Sequence, residues 1–322
     1  MTSTLSTPTE KQPAESRIHI VLHKIKRAFF VALGVYIVLL VFLYFNQRQL
    51  IFPGGHNASV TTSREEAETR MQHVEGVTGP VQTVWLKTSA GQKIAAMYAP
   101  SELPGGKPDP GASSRPTVIY FYGNGSSIER SGNHVQRLRE RGVNVFMPDF
   151  IGYGMSDGEP SETGCYATAT AAYDYITGPG KVSPGHIVIM GRSLGTALAI
   201  DLAARRPCAG LVTVSAFTSM AEMACHDYPF VPLVIGSALL KHKFLSESKI
   251  PKVQCPIMIV HARDDIRVPF SMAAQLEKAA HKSVTRIDVP TGGHNQVLEE
   301  GGKPLYTAMA QFIYKSTGIE AR

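Results

Sequence analysis

Metal-binding cysteine pairs are missing from this sequence. Its four cysteines, Cys165, Cys208, Cys225 and Cys255, include no Cys-x-x-Cys spacing, so they do not outline a structural zinc site. One or two disulfides are open to them in an oxidising compartment. The alternative is four small buried apolar side chains, and spacing alone pairs none of them. A basic stripe interleaved with aromatics is absent too. The net charge is +6, but Lys11, Arg17, Lys24, Lys26 and Arg27 against Glu10 and Glu15 place half of it in the first 27 residues. The rest is diluted along the chain, and no nucleic-acid partner is expected. There is no internal repeat. With 43% hydrophobic and 18% charged residues, wholesale disorder is excluded. A chain of 322 residues can bury one large core or two modest ones.

Charge is wholly absent from residues 28–45, AFFVALGVYIVLLVFLYF. As a helix this run is about 27 Å long, near the thickness of a bilayer's hydrocarbon. It has no polar face, unlike a helix that lies against a soluble core. A cleaved signal peptide would have a shorter apolar segment and a small-x-small cleavage site, whereas this run continues into Asn46-Gln47-Arg48-Gln49. A retained transmembrane anchor is therefore expected. Five cations precede it and Arg48 alone follows closely, so the tail, 1–27, is expected in the cytosol. The remainder then faces the periplasm, the cell exterior or a lumen. The stretch RIHIVLHKIKR (17–27) alternates apolar and basic residues and suits anionic headgroups.

Beyond the anchor, 46–80 reads as a linker with some helix between 57 and 76, and Asn57-Ala58-Ser59 is a glycosylation sequon. A rhythm of strands and helices then sets in. Strands are expected at 81–88, 93–99, 116–123, 143–150, 186–191, 210–217, 256–262 and 284–290. Helices are expected near 127–141, 161–177, 194–205 and 303–316. Short β-branched runs alternating with helices predict a mostly parallel sheet covered on both faces, within a domain spanning 81–322. Residues 218–250 break the rhythm with an apolar, proline-punctuated segment. We read it as a small helical lid inserted before the seventh strand, the alternative being a surface helix pair with no part in the site.

The run HIVIMGRSLGTALAIDLAARR (186–206) places a serine where a strand becomes a helix. A nucleophile on so sharp a turn needs small residues two positions to either side, here Gly191 and Gly195, and the motif around Ser193 is G-x-S-x-G in the required context. A serine hydroxyl needs a base, and the base needs an orienting carboxylate. In strand-end order the sequence offers Asp264 or Asp265 after PIMIVHA, then His294 after the next strand. His281, the only other histidine beyond the acid, falls at a helix end. Two backbone N–H groups are expected to hold an oxyanion, those of Leu194 and Asn124, the latter in the loop after the third strand. Each is worth on the order of 3 kcal/mol in the transition state.

These features resemble the α/β-hydrolase superfamily, and specifically the ABHD-type serine hydrolases with one N-terminal membrane span. The similarity covers about 46–316 and includes PDFIGYGMSDGEPSE (148–162), SAFTSM (215–220), IPKVQCPIMIVHARDDIRVPF (250–270) and GGHN (292–295). The family's acid stands four residues after the strand-end histidine, here His261, which selects Asp265. Departures occur at Tyr122, Ala262 and Ile151, where the family has His, Gly and Arg. The resemblance implies a triad of Ser193, His294 and Asp265, no metal and no organic cofactor. Expected substrates are small-molecule or lipid acyl esters or thioesters. The alternatives are a serine peptidase or amidase on the same fold, or a non-catalytic membrane-bound binding module.

Overall fold

The structure, a computed structural model, describes residues 14–55 and 62–321, with side chains from residue 19. Most of the N-terminal tail's first half and the Asn57 sequon lie outside the described residues. The chain forms two compact units that meet between Gln47 and Arg48. The first is made of helix α1 (Ala14–Ile51), which continues a few residues into the second. Its stretch His19–Ile51 is long and apolar enough to cross a membrane. Apolar side chains are exposed along its uncharged run, Val38 at 66% and Phe45 at 74% among them.

The second unit starts earlier than the expected domain boundary at 81. Helix α2 (Arg64–Met71) is capped by Ser63, whose Oγ accepts from the Glu66 N–H at 3.1 Å. It buries Ala67 and Met71 in the same core as Ile51, Phe52 and Val74. Part of the stretch read as a linker is thus anchored in the core of this unit.

The large sheet is built from β1 (Gln82–Lys87), β2 (Lys93–Ala99), β5 (Thr117–Phe121), β6 (Asn144–Pro148), β7 (Ile187–Arg192), β8 (Gly210–Val214), β9 (Ile257–Ala262) and β10 (Val284–Val289). The intervening β3 (Glu102–Leu103) and β4 (Lys107–Pro108) form a separate hairpin in the Pro/Gly-rich loop. Strand order is β1-β2-β6-β5-β7-β8-β9-β10. β2 is antiparallel to both neighbours and every later pair is parallel. Central strands such as TVIYF and GLVTV are buried at every position, as expected where helices cover both faces.

Helix α4 (Glu162–Thr177) packs beside α5 (Leu194–Arg205), and α3 (Gly132–Arg139) beside α10 (Val297–Thr317). α5 is buried without interruption from Leu194 to Ala203. At about 1.5–3 kcal/mol for each large aliphatic side chain, that burial fixes the helix and so the direction of its N-terminus. α9 (Phe270–Ala279) packs on β9. The insertion expected at 218–250 holds α6 (Met220–Asp227), α7 (Leu233–Leu239) and α8 (Ser246–Lys249).

Two helices differ from expectation. α3 begins at Gly132 and not near 127, because the Ile128 N–H is turned to the Asp149 carboxylate at 2.9 Å. The last helix begins six residues early, at Val297, and is kinked at Gly302, whose φ of 50° breaks the helical path. Parallel strands carry their C-terminal ends to one edge of a sheet. The loops at 122–126, 193, 263–265 and 290–294 all leave from that edge, where α/β sheets form their sites.

Candidate active site

β7 ends at Arg192 and the chain turns into α5 at Ser193, with φ 50° and ψ −122°. Such angles cost a residue bearing a Cβ about 1–3 kcal/mol and persist only when the surroundings impose them. The imposition is visible. The Ser193 N–H donates to the Val214 carbonyl of β8 at 2.9 Å, and the Thr196 hydroxyl donates to the Ser193 carbonyl at 2.6 Å. A Cβ on Gly191 would lie 2.3 Å from the Gly195 oxygen, and one on Gly195 would lie 2.1 Å from the Phe121 oxygen. The turn closes only if both positions lack side chains.

His294 lies across the sheet edge from a different loop. Its Nε2 is 2.9 Å from Ser193 Oγ and its Nδ1 is 2.9 Å from Asp265 Oδ2. Asp265 is buried, and its other oxygen accepts from the N–H groups of Arg267 (3.0 Å) and Val268 (2.8 Å). Burial alone would push this carboxyl upward. Hydrogen bonds from His261, His294 and the Val268 N–H outweigh it and hold the group well below the usual carboxylate range. An ionised Asp265 only accepts, so the proton of His294 sits on Nδ1. Nε2 is then free to accept from the serine hydroxyl.

Residues outside the triad complete the loop. Asp264, the other candidate acid, has an exposed position but an engaged carboxylate. It accepts from the N–H groups of Gly293 (2.8 Å) and Gly292 (3.3 Å), the two residues before His294. Arg192 donates through one nitrogen to the carbonyls of Asn295 (2.8 Å) and His294 (3.3 Å). One neighbour of the acid and one of the serine therefore grip the histidine loop from both sides. His261, used in the sequence only as a landmark, is fully buried. It donates from Nε2 to the Val268 carbonyl (3.0 Å) while lying 3.4 Å from Asp265 Oδ2.

Leu194 is the first residue of α5, and its N–H is among those an α-helix leaves without an internal partner. Asn124 follows Gly123, where a Cβ would come 3.3 Å from that of Ser193. The Asn124 side chain is tied down, donating to the Ile51 carbonyl (2.6 Å) and accepting from the Tyr153 hydroxyl (2.7 Å). Behind it, Tyr122 is fully buried against Phe150, ring centroids 4.3 Å apart. Its hydroxyl donates to Asp149 at 2.9 Å. Asp149 also accepts from the N–H groups of Ile128 (2.9 Å) and Met155 (2.8 Å). The departure at Tyr122 thus fastens the 122–126 loop to the 149–155 turn. Among the described residues no group of three or more His, Cys, Asp and Glu side chains is placed to hold a metal ion.

Residues 112–244 match the family described as serine aminopeptidase, S33. An uncharacterized protein of Mycobacterium tuberculosis strain H37Rv is 32% identical over 230 residues, 71% of this chain and 78% of that one. The α/β hydrolase domain-containing protein 17B of Xenopus tropicalis is 29% identical over 218 residues, 67% of this chain and 70% of that one. Among solved structures, an esterase of Pyrococcus furiosus superposes with a TM-score of 0.59 at 15% identity, over 82% of this chain and 100% of the other.

Proposed function

The chain belongs to the ABHD-type α/β hydrolases, and on that premise we propose that it is a membrane-anchored serine hydrolase cleaving carboxylic esters or thioesters. One observation carries the reading: the two nitrogens of His294 each stand 2.9 Å from a partner, Ser193 Oγ on one side and Asp265 Oδ2 on the other. Ser193 Oγ attacks the acyl carbonyl carbon while its proton passes to His294 Nε2. The imidazolium is stabilised by the buried, ionised Asp265. The oxyanion is held by the N–H groups of Leu194 and Asn124. Collapse expels the alcohol or thiol, which takes the proton from Nε2, and leaves Ser193 acylated. Water then repeats the sequence and frees the acid.

The anchor in this reading is α1. Exposed apolar side chains on the lid, Phe230, Leu233 and Val234, favour lipid acyl chains among the possible esters. The aminopeptidase family match favours a second reading, peptide cleavage by the same residues. A panel of acyl esters, thioesters and N-terminal peptide anilides separates the two.

The test of catalysis is covalent labelling with a fluorophosphonate. The intact protein is expected to label and Ser193→Ala to remain unlabelled. An intact, folded protein that takes up no probe would instead favour a non-catalytic binding module.

A further inference from the structure

We infer that Cys208 and Cys255 form a reversible intrachain disulfide that ties together the N-terminal ends of β8 and β9, the two strands between which the lid is inserted. Their sulfurs are 3.5 Å apart, while Cys225 is bonded to the Val231 carbonyl and Cys165 is buried alone in the core. Chain topology explains the meeting. Cys208 lies three residues before Leu211 and Cys255 two residues before Ile257, and Leu211 pairs with Ile257 in the parallel register of β8 and β9. The Leu211 N–H also donates to the Pro256 carbonyl at 3.0 Å. Both cysteines therefore enter the sheet side by side.

The segment between them contains β8 and all of α6, α7 and α8. A bond here closes a loop that contains both β8 and the lid. It also lies at the N-terminal ends of β8 and β9, whereas Ser193 and Asp265 follow the C-terminal ends of β7 and β9. The height of a five-residue strand, about 17 Å, separates the cross-link from the chemistry. Its effect is on stability, and it does not depend on the triad reading.

The chemistry is thiol–disulfide exchange with a small-molecule disulfide. Cys208 is half-buried and Cys255 buried, so Cys208 meets the oxidant first. Its thiolate attacks one sulfur of oxidised glutathione and expels a glutathione thiolate, giving a mixed disulfide. Cys255 attacks Cys208 Sγ and expels the second glutathione. Two protein thiols and one oxidised glutathione become one protein disulfide and two reduced glutathiones.

The experiment uses the full chain in detergent micelles, treated with oxidised glutathione, quenched in acid, denatured and labelled with a maleimide-polymer. Two of the four thiols are expected to disappear, with a linked peptide joining 208 to 255 by mass and a rise in Tm on the order of 5 °C. Cys208→Ser and Cys255→Ser are each expected to abolish closure, whereas Cys165→Ser and Cys225→Ser retain it. The peptide map of the unmutated protein decides the matter if a serine variant fails to fold. Four reactive thiols after treatment, a mixed disulfide that never closes, or a linkage through Cys165 or Cys225 overturns the inference.

Discussion

Asp264 and Asp265 share a turn and a chemistry, and their surroundings assign them different work. Asp265 is buried on His294, while Asp264 stays exposed and holds the N–H groups of Gly292 and Gly293. Replacing Asp265 by Asn keeps the shape but offers His294 an amide, which favours the wrong tautomer. A fall in kcat of about 10³–10⁴ is expected, with KM little changed. Asp264→Ala only loosens the loop, so a loss nearer 10-fold is expected. Steady-state kinetics on a water-soluble ester read both, and an equal loss from the two variants would remove the assignment of Asp265 as the acid. The Arg192 grip on the carbonyls of His294 and Asn295 was not legible beforehand. Ser193 announces itself through glycines two positions away, whereas Arg192 acts across roughly a hundred residues of chain, and no local pattern records such a partner.

Among the elements, α3 and α10 meet through a buried polar joint. His134 Nδ1 and the Tyr306 hydroxyl are 2.7 Å apart, and burial pushes the His134 pKa down to about 4. The unfolded chain, with an ordinary value near 6.5, then binds more protons than the folded one between those two pH values. This contribution to stability is present above pH 6.5 and is lost as pH falls toward 4, by about 3 kcal/mol at most. Asp149 has the opposite slope in part of the same window, because burial raises it to about 6. The informative quantity is the difference between the unmutated protein and His134→Gln. Urea titrations at several pH values are expected to show the variant losing less stability on acidification; parallel curves would contradict the burial argument. Legibility at this scale followed burial pattern. Strands buried on both faces were visible as apolar runs and α5 as an alanine- and leucine-rich stretch. The first turn of α10 was hidden because Gly301, Gly302 and Pro304 read as a stop, although Val297 and Leu298 are buried. The packing of α2 was hidden for another reason, since an eight-residue helix with only two buried side chains resembles a solvated linker.

At the scale of the whole molecule, the two units place opposite demands on their surroundings. The unit from Arg48 onward covers its core in the ordinary way, with a buried sheet and polar loops. α1 carries exposed apolar side chains along its uncharged run, 28–45, and a helix of that kind is stable where hydrocarbon replaces water. Lys24, Lys26 and Arg27 stand directly before the uncharged run and only Arg48 closely after it. Cations resist transfer across a membrane, so this asymmetry predicts that the N-terminus stays in the cytosol and the hydrolase unit crosses. In sealed vesicles with the cytosolic face outward, added protease is expected to leave the unit from 48 to 322 intact until detergent opens the membrane. Digestion before that point would reverse the orientation. Lys24, Lys26 and Arg27 together changed to Gln are expected to raise the inverted fraction measurably. If orientation is unchanged by that substitution, the flanking charges are not what sets it.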